Sequence, residues 1–154
     1  ETASSIRDNL LPLADIVTPN RFELAWLAGK PIPNSTEETL SLANLLDIED
    51  VLVTSCTDEK EDVTGNLLKS NSGNWLATHK TIKSPPNGPG DLTAAIHLGH
   101  KLDGDTDELN LQKTTASVLE ILTQSTARGS DELTLETDAA SILQPTIKLG
   151  ILLW

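Results

Sequence analysis

Asn87-Gly88-Pro89-Gly90-Asp91, followed by Leu92-Thr93-Ala94-Ala95-Ile96, places two glycines and a carboxylate at the start of a small-residue helix. Glycine has no Cβ, so the backbone at Gly88 and Gly90 can come close to a ligand. A helix start offers N–H groups without intrahelical acceptors and the positive end of the macrodipole, which together receive a phosphate. A carboxylate beside a bound phosphate can take the proton of an attacking hydroxyl. Anion cradle plus base suggests phosphoryl transfer. The same residues also make a plain glycine turn with an aspartate capping a helix, and a short glycine motif does not by itself decide between the two.

The surrounding pattern predicts the elements that would position this motif. Residues 4–13 read as a short helix broken near Pro12. Asp15-Ile16-Val17 is a brief buried strand, and Thr18-Pro19-Asn20 a turn. A helix from Arg21 carries Phe22, Leu24, Ala25, Trp26 and Leu27 and ends at Gly29. Ser35 and Glu38 have capping-box spacing ahead of a helix bearing Leu40, Leu42, Ala43, Leu45 and Leu46. Val51-Leu52-Val53-Thr54-Ser55 is the clearest strand. Strand, helix, helix, strand suggests a parallel sheet covered by helices.

The pattern then changes. Residues 65–69 and 75–79 read as a hairpin turning at 70–74. Ser84-Pro85-Pro86 is a stiff connector into the glycine motif. Helices are predicted over 91–102 and 108–127, the second with an apolar stripe of Leu111, Thr115, Val118, Leu119 and Leu122. Leu133-Thr134-Leu135 reads as a last strand, and Asp138–Leu143 as a helical turn. Glu59-Lys60-Glu61-Asp62 reads as a solvated loop.

A length of 154 residues fits a single domain, 1–154, with a real core built mainly of Leu, Ile, Val and Ala, since there are only three Trp, one Phe and no Tyr. The formal charge of −12 opposes general binding to nucleic acid. It does not oppose ATP, whose charge Mg²⁺ and backbone donors can meet locally. Cys56 stands alone, which rules out an intrachain disulfide or a cysteine metal site and fits a reducing, cytoplasmic home. No apolar run approaches the ~20 residues that span a bilayer, so no membrane partner is expected. The chain starts at Glu1 and contains no Met, so it is expected to be a fragment or a processed piece. His79, His97 and His100 share no ligand spacing with Cys or Asp. His97 and His100 are expected as solvated or core-edge residues of a helix.

Three segments resemble pyridoxal kinases, and they occur in family order. Asp15-Ile16-Val17-Thr18-Pro19-Asn20-Arg21-Phe22-Glu23 resembles the family's Asp-Ile-Thr-Pro-Asn-x-x-Glu segment. Val51–Ser55 looks like its strand ending in Thr-Ser. Gly88-Pro89-Gly90-Asp91-Leu92-Thr93-Ala94-Ala95 is similar to its Gly-Thr-Gly-Asp-Leu-Phe-Ala-Ala. Leu133–Leu135 with Gln144-Pro145 looks like the closing segment. The resemblance covers roughly residues 8–145 but only about the C-terminal half of a family member, the ATP-binding and catalytic part. Hydroxymethylpyrimidine kinases share the Thr-Pro-Asn-x-x-Glu segment but commonly carry cysteine where this chain has Asp91. Pro89 stands where pyridoxal kinases usually have threonine. It removes one N–H from the cradle, although proline is tolerated at a helix start.

The resemblance implies an α/β fold, the C-terminal part of a ribokinase-like α/β/α layered sheet, mostly parallel with an antiparallel hairpin. It implies transfer of the ATP γ-phosphoryl group to the 5′-hydroxymethyl of pyridoxal, with Asp91 as base and Gly88 and Gly90 as anion hole. Thr18, Thr54 and Ser55 would face ATP. Asn20 and Glu23 would organise Mg²⁺ through its waters, or else serve as a helix cap and first-turn acid. Thr18 with Glu23 resembles the monovalent-cation neighbourhood, which would hold K⁺. The partners implied are ATP, pyridoxal or a related hydroxymethyl compound, and a second copy in a homodimer. The alternatives are a non-catalytic nucleotide-binding fragment, a structural subunit, or a related hydroxymethylpyrimidine kinase.

Overall fold

Strands β1 (Ile16–Val17) and β2 (Asp50–Val53) run in parallel, with Ile16 opposite Asp50 and Val17 opposite Val51. Parallel neighbours need a crossover, and here it is made by α2 (Arg21–Ala28) and α3 (Thr36–Ala43). The computed structural model describes residues 2–56 and 62–154. The solvated loop expected at 59–62 lies outside the described residues except for the exposed Asp62.

Local chemistry sets the crossover's boundaries. Asn20 caps α2: its side chain accepts from the Glu23 N–H at 2.9 Å, while the Glu23 carboxylate accepts from the Asn20 N–H at 2.8 Å. Gly29, at φ 63°, ends the helix in the left-handed region that glycine enters without a Cβ clash. Ser35 caps α3 by accepting from the Glu38 N–H, but the Glu38 carboxylate reaches back to the Asn34 N–H at 2.7 Å, so the predicted reciprocal box is shifted by one residue.

The sheet continues with β3 (Val63–Ser70) and β4 (Gly73–Lys80), an antiparallel hairpin wider than the pattern indicated, and closes with β5 (Ile151–Leu153). The order is β1-β2-β3-β4-β5. Only β1·β2 is parallel; β2·β3, β3·β4 and β4·β5 are antiparallel. The expectation of a mostly parallel sheet is therefore corrected. β2 and β3 are neighbours in the sheet, with Val51 opposite Lys69 and Val53 opposite Leu67. The final strand is formed by Ile151–Leu153, for which no element was predicted. Leu133–Leu135 is not a strand: near it there is only an isolated bridge between Asn87 and Glu132. The N-terminal helix is also less regular than predicted, with α1 (Thr2–Ser5) followed by a wide turn over Ile6–Leu10 and a tight one over Leu11–Leu13.

Alternation along the strands feeds two cores. Val51, Val53, Leu67 and Leu76 face α2 and α3, packing with Leu24, Ala43, Leu46 and Ile48. Leu52, Leu68 and Ala77 face the other way, onto Leu111 of α5 (Asp107–Ala127). Helices thus cover both faces, giving the α/β/α layering. Helix α4 (Pro89–Leu102) packs beside α5 through Leu92, Ile96, Val118, Ile121 and Leu122. In the predicted α5 stripe, Leu111, Thr115, Val118 and Leu122 are buried, and Leu119 is half-buried. His97 is not solvated: it is 0% exposed and bridges Asp50 and Asn110. His100 pairs with Asp105 at 2.9 Å.

A short helix, α6 (Ala139–Leu143), leads into the tail, which Glu120 of α5 ties down. Its carboxylate accepts from the Ser141 hydroxyl at 2.7 Å, the Thr146 N–H at 2.6 Å and the Ile147 N–H at 3.0 Å. Burial opposes the charge, but the hydrogen bonds from Ser141, Thr146 and Ile147 outweigh it and hold the carboxyl below its ordinary value. A depressed folded-state value means stability that is present above the unfolded value near 4.5 and lost as pH falls through the folded one. Glu120→Gln is expected to flatten the acid limb of a plot of urea midpoint against pH below about 4.5. An unchanged acid limb would show that Glu120 does not couple the tail to pH.

Candidate active site

The ends of β2 and α4 meet at a cleft of about 350 Å³ on the α4/α5 side of the sheet. Thr54 and Ser55 line it directly after β2, and Pro89, Gly90 and Thr93 line it from the first turns of α4. Hairpin positions Thr64, Asn66, His79 and Thr81 form its polar wall, and Ile82, Pro85, Val118 and Leu122 its apolar one. Open α/β sheets bind ligands beyond the carboxyl ends of their parallel strands, where Thr54 and Ser55 lie.

Ser55 adopts φ 55°, the left-handed region that a non-glycine residue rarely enters. Hydrogen bonds on either side pin it there: Thr54 N–H donates to the Pro19 carbonyl at 3.0 Å, and Cys56 N–H to the Gly65 carbonyl at 2.9 Å. Such enforced conformations cluster at functional sites. Cys56 is fully buried, and burial pushes its thiol up to about 12, so it is a packed, unreactive residue.

Gly88 is the N-cap of α4, with φ 99° and no side-chain cap. Pro89 is the first helical residue, and its missing N–H does not prevent the helix from starting. Helix geometry leaves the Gly90 and Asp91 N–H groups without intrahelical acceptors. An added Cβ on Gly90 would meet nothing within 4 Å, so the fold does not require glycine there. A close ligand would.

Asp91 is exposed on the first turn of α4. It lines not this cleft but a neighbouring one of about 460 Å³, together with Asn87, Gly88, Leu92, Glu132 and Leu133. Thr54, Ser55 and Gly90 therefore share one cleft as the motifs suggested, whereas Gly88 belongs with Asp91 on the other side of the helix start. The 131–133 segment is held against the motif by the Asn87 N–H, which donates to the Asp131 carbonyl at 3.0 Å. Behind it, Arg128 pairs with Asp138.

Thr18 and Glu23 lie apart from both clefts, in a groove lined mainly by Ile6, Leu11, Val17, Trp26 and Leu27. Those apolar side chains are no donor set for a monovalent cation. Asn20 touches the first cleft only through its backbone bridge to Thr54. Asn20 Oδ1 and one Glu23 oxygen are engaged in capping. Contact of these two residues with Mg²⁺ would have to pass through the ion's water shell, since this ion keeps several waters. Among the described residues, no group of three or more His, Cys, Asp or Glu could hold a metal directly. No helix among them is long and apolar enough to cross a membrane. The polar hairpin wall was missed from sequence. Its signal was the alternation of Thr64 with Asn66 and of His79 with Thr81, of which only Asn66 and His79 fell inside the predicted strands 65–69 and 75–79.

Residues 1–133 match the family described as phosphomethylpyrimidine kinase. The chain is 35% identical over 135 residues to the pyridoxal kinase PdxY of Leifsonia xyli, covering 84% of this chain and 47% of that protein. It is 31% identical over 150 residues to PdxY of Corynebacterium diphtheriae, covering 95% and 53%. The chain spans about half the length of the curated relatives it matches. Among solved structures, pyridoxal kinase from Entamoeba histolytica superposes with a TM-score of 0.83 at 23% identity, over 100% of this chain and 55% of that one. Pyridoxal kinase from Staphylococcus aureus in complex with AMP-PCP and pyridoxal gives 0.80 at 19%, over 99% and 58%. At these identities the superpositions establish the shared fold. The motifs, the layered sheet and the match over residues 1–133 together show that the chain belongs to the pyridoxal kinase / phosphomethylpyrimidine kinase family.

Proposed function

We propose that this chain is the ATP-binding and phosphoryl-transfer part of a pyridoxal kinase. The observation that carries the reading is the meeting of Thr54, Ser55 and Gly90 in one cleft, with Asp91 one residue further on the opposite side of the same helix start. Nucleotide phosphates enter from the first cleft and the hydroxymethyl acceptor from the second. The acceptor oxygen attacks the γ-phosphorus, the bond to the ADP oxygen breaks, and the hydroxyl proton passes to the Asp91 carboxylate. The Gly90 and Asp91 N–H groups and the positive end of α4 stabilise charge on the transferring group. Mg²⁺, when bound, would neutralise charge on the nucleotide phosphates, and Asn20 and Glu23 at the start of α2 would reach it through its water shell. Aspartate at position 91, where hydroxymethylpyrimidine kinases commonly carry cysteine, favours pyridoxal as acceptor.

Two glycine variants test the cradle. Gly90→Ala places a methyl where the fold leaves space, so it should fold normally and weaken AMP-PCP about tenfold, ~1.4 kcal/mol. Gly88→Ala forces an L-residue to φ 99°, with the Leu133 side chain 3.6 Å from the new Cβ. It should lower stability by about 1–2 kcal/mol. Calorimetric titration and urea unfolding read both. Undiminished AMP-PCP affinity in Gly90→Ala would remove the cradle.

A further inference from the structure

We infer that His79 is the phosphate-side counter-charge of the first cleft, a binding residue whose charge makes nucleotide affinity rise as pH falls. The inference rests on the proposed nucleotide site and deepens it. Among the described residues lining that cleft, His79 is the only titratable side chain; its neighbours are Thr, Ser, Asn, Pro, Gly and aliphatic residues. A polyanion entering this acidic chain, of net charge −12, thus meets one group able to become a cation among the described lining residues.

The hydrogen bonding of His79 fixes which nitrogen serves. Nδ1 lies 2.9 Å from the Lys80 carbonyl oxygen, an acceptor only, so Nδ1 carries the hydrogen. Nε2 is left for the ligand. In the neutral ring it can only accept, which suits a ribose hydroxyl and opposes a phosphate oxygen. Protonated, it donates a charge-assisted hydrogen bond to that oxygen, roughly twice as strong as a neutral one. Histidine is the side chain that makes this change between about pH 5 and 8.

Among the described residues, the elements around His79 place no other charged side chain in the lining of the cleft. Thr64 stands opposite it on β3, Thr54 and Ser55 follow β2, Thr81 and Ile82 follow β4, α4 contributes Pro89, Gly90 and Thr93, and α5 contributes Val118 and Leu122. Lys80 is directed to the other face of the sheet by strand alternation. Beyond the lining, Asp62 is exposed, and its carbonyl accepts from the Thr81 N–H at 2.9 Å, which places an acidic residue beside the end of β4.

The test is calorimetric binding of Mg-ADP to this chain at about pH 5.5 and about pH 8, for the wild type, His79→Gln, His79→Lys and Asp62→Asn. ADP titrates in the same range, so the reading is the ratio of wild-type to variant affinity. That ratio against His79→Gln should grow about tenfold on going to the lower pH. His79→Lys, charged at both values, should keep the tighter affinity at the higher pH, and Asp62→Asn should leave the pH dependence in place. Equal pH dependence in wild type and His79→Gln, or its loss in Asp62→Asn, overturns the inference while leaving the nucleotide site standing. No binding by the wild type at either pH overturns the nucleotide site itself, and this inference with it.

Discussion

Asparagine in place of Asp91 is expected to lower kcat for pyridoxal phosphorylation about 10²–10⁴-fold, the usual contribution of a general base, in a kinase that contains this chain. The substitution keeps the size of the side chain and its compatibility with a first helical turn. Asp91 is exposed, so the change removes no buried group. What is lost is a carboxylate able to take the hydroxyl proton as the phosphorus–oxygen bond forms. That need arises in the transition state, so affinity for ATP should move little while kcat and kcat/KM fall together. Pyridoxal phosphate formation, measured with nucleotide affinity on the same preparations, separates the effects. Wild-type turnover in Asp91→Asn would leave the residue as a helix-start acid and nothing more. A drop in nucleotide affinity as large as the drop in kcat would make it a binding group instead.

The glycine turn, the helix start at Asn20 and the strand ending in Thr54-Ser55 were legible because each is local: its residues lie within a few positions and their geometry follows from type and spacing. The parallel β1·β2 pair was legible for the same reason, since two helices between two apolar runs leave little else. The antiparallel remainder of the sheet was not. β5 is a short apolar run whose partner β4 is far away in sequence, with Leu153 opposite Trp75, and the tail leading to it is held by Glu120, 26 residues from Thr146 in sequence. The cleft's polar wall was hidden because Thr64, Asn66 and His79 are ordinary strand residues until α5 is laid over that face. His97 was misplaced although α4 buries Leu92, Thr93, Ile96 and His97 at helical spacing. Its partner Asp50 is 47 residues away, and only the folded sheet brings the two together.

That pairing carries the largest expected effect on stability: Asp50→Ala should destabilise the chain by about 3–5 kcal/mol, the range for removing one partner from a buried ion pair. Asp50 is 1% exposed at the start of β2. Its carboxylate meets His97 Nε2 at 3.2 Å and Lys101 Nζ at 2.7 Å, both on α4. His97 Nδ1 faces Asn110 Oδ1 at 3.0 Å, and the Asn110 amide donates to the His97 carbonyl, which fixes that oxygen as an acceptor. Thr114 donates to the same oxygen. Lys101 continues to Asp107, which also accepts from Ser70 at the hairpin turn. Burial opposes the charge on Asp50, but hydrogen bonds from His97 and Lys101 outweigh it and hold its carboxyl below the ordinary range. Truncation leaves Nε2 of the 0% exposed His97 without an acceptor, while Nδ1 keeps Asn110 Oδ1. Lys101, 30% exposed, retains Asp107 and water, so Lys101→Ala should lose much less, about 1 kcal/mol. Urea unfolding of both variants measures the difference, and a loss under about 1 kcal/mol in Asp50→Ala would show that the network contributes little. The network fastens α4 to β2 at the end away from the cleft, while the other ends of these two elements carry Gly90 and Ser55. A loosened clamp should therefore also weaken AMP-PCP binding in the variant that still folds, although Asp50 lines neither cleft.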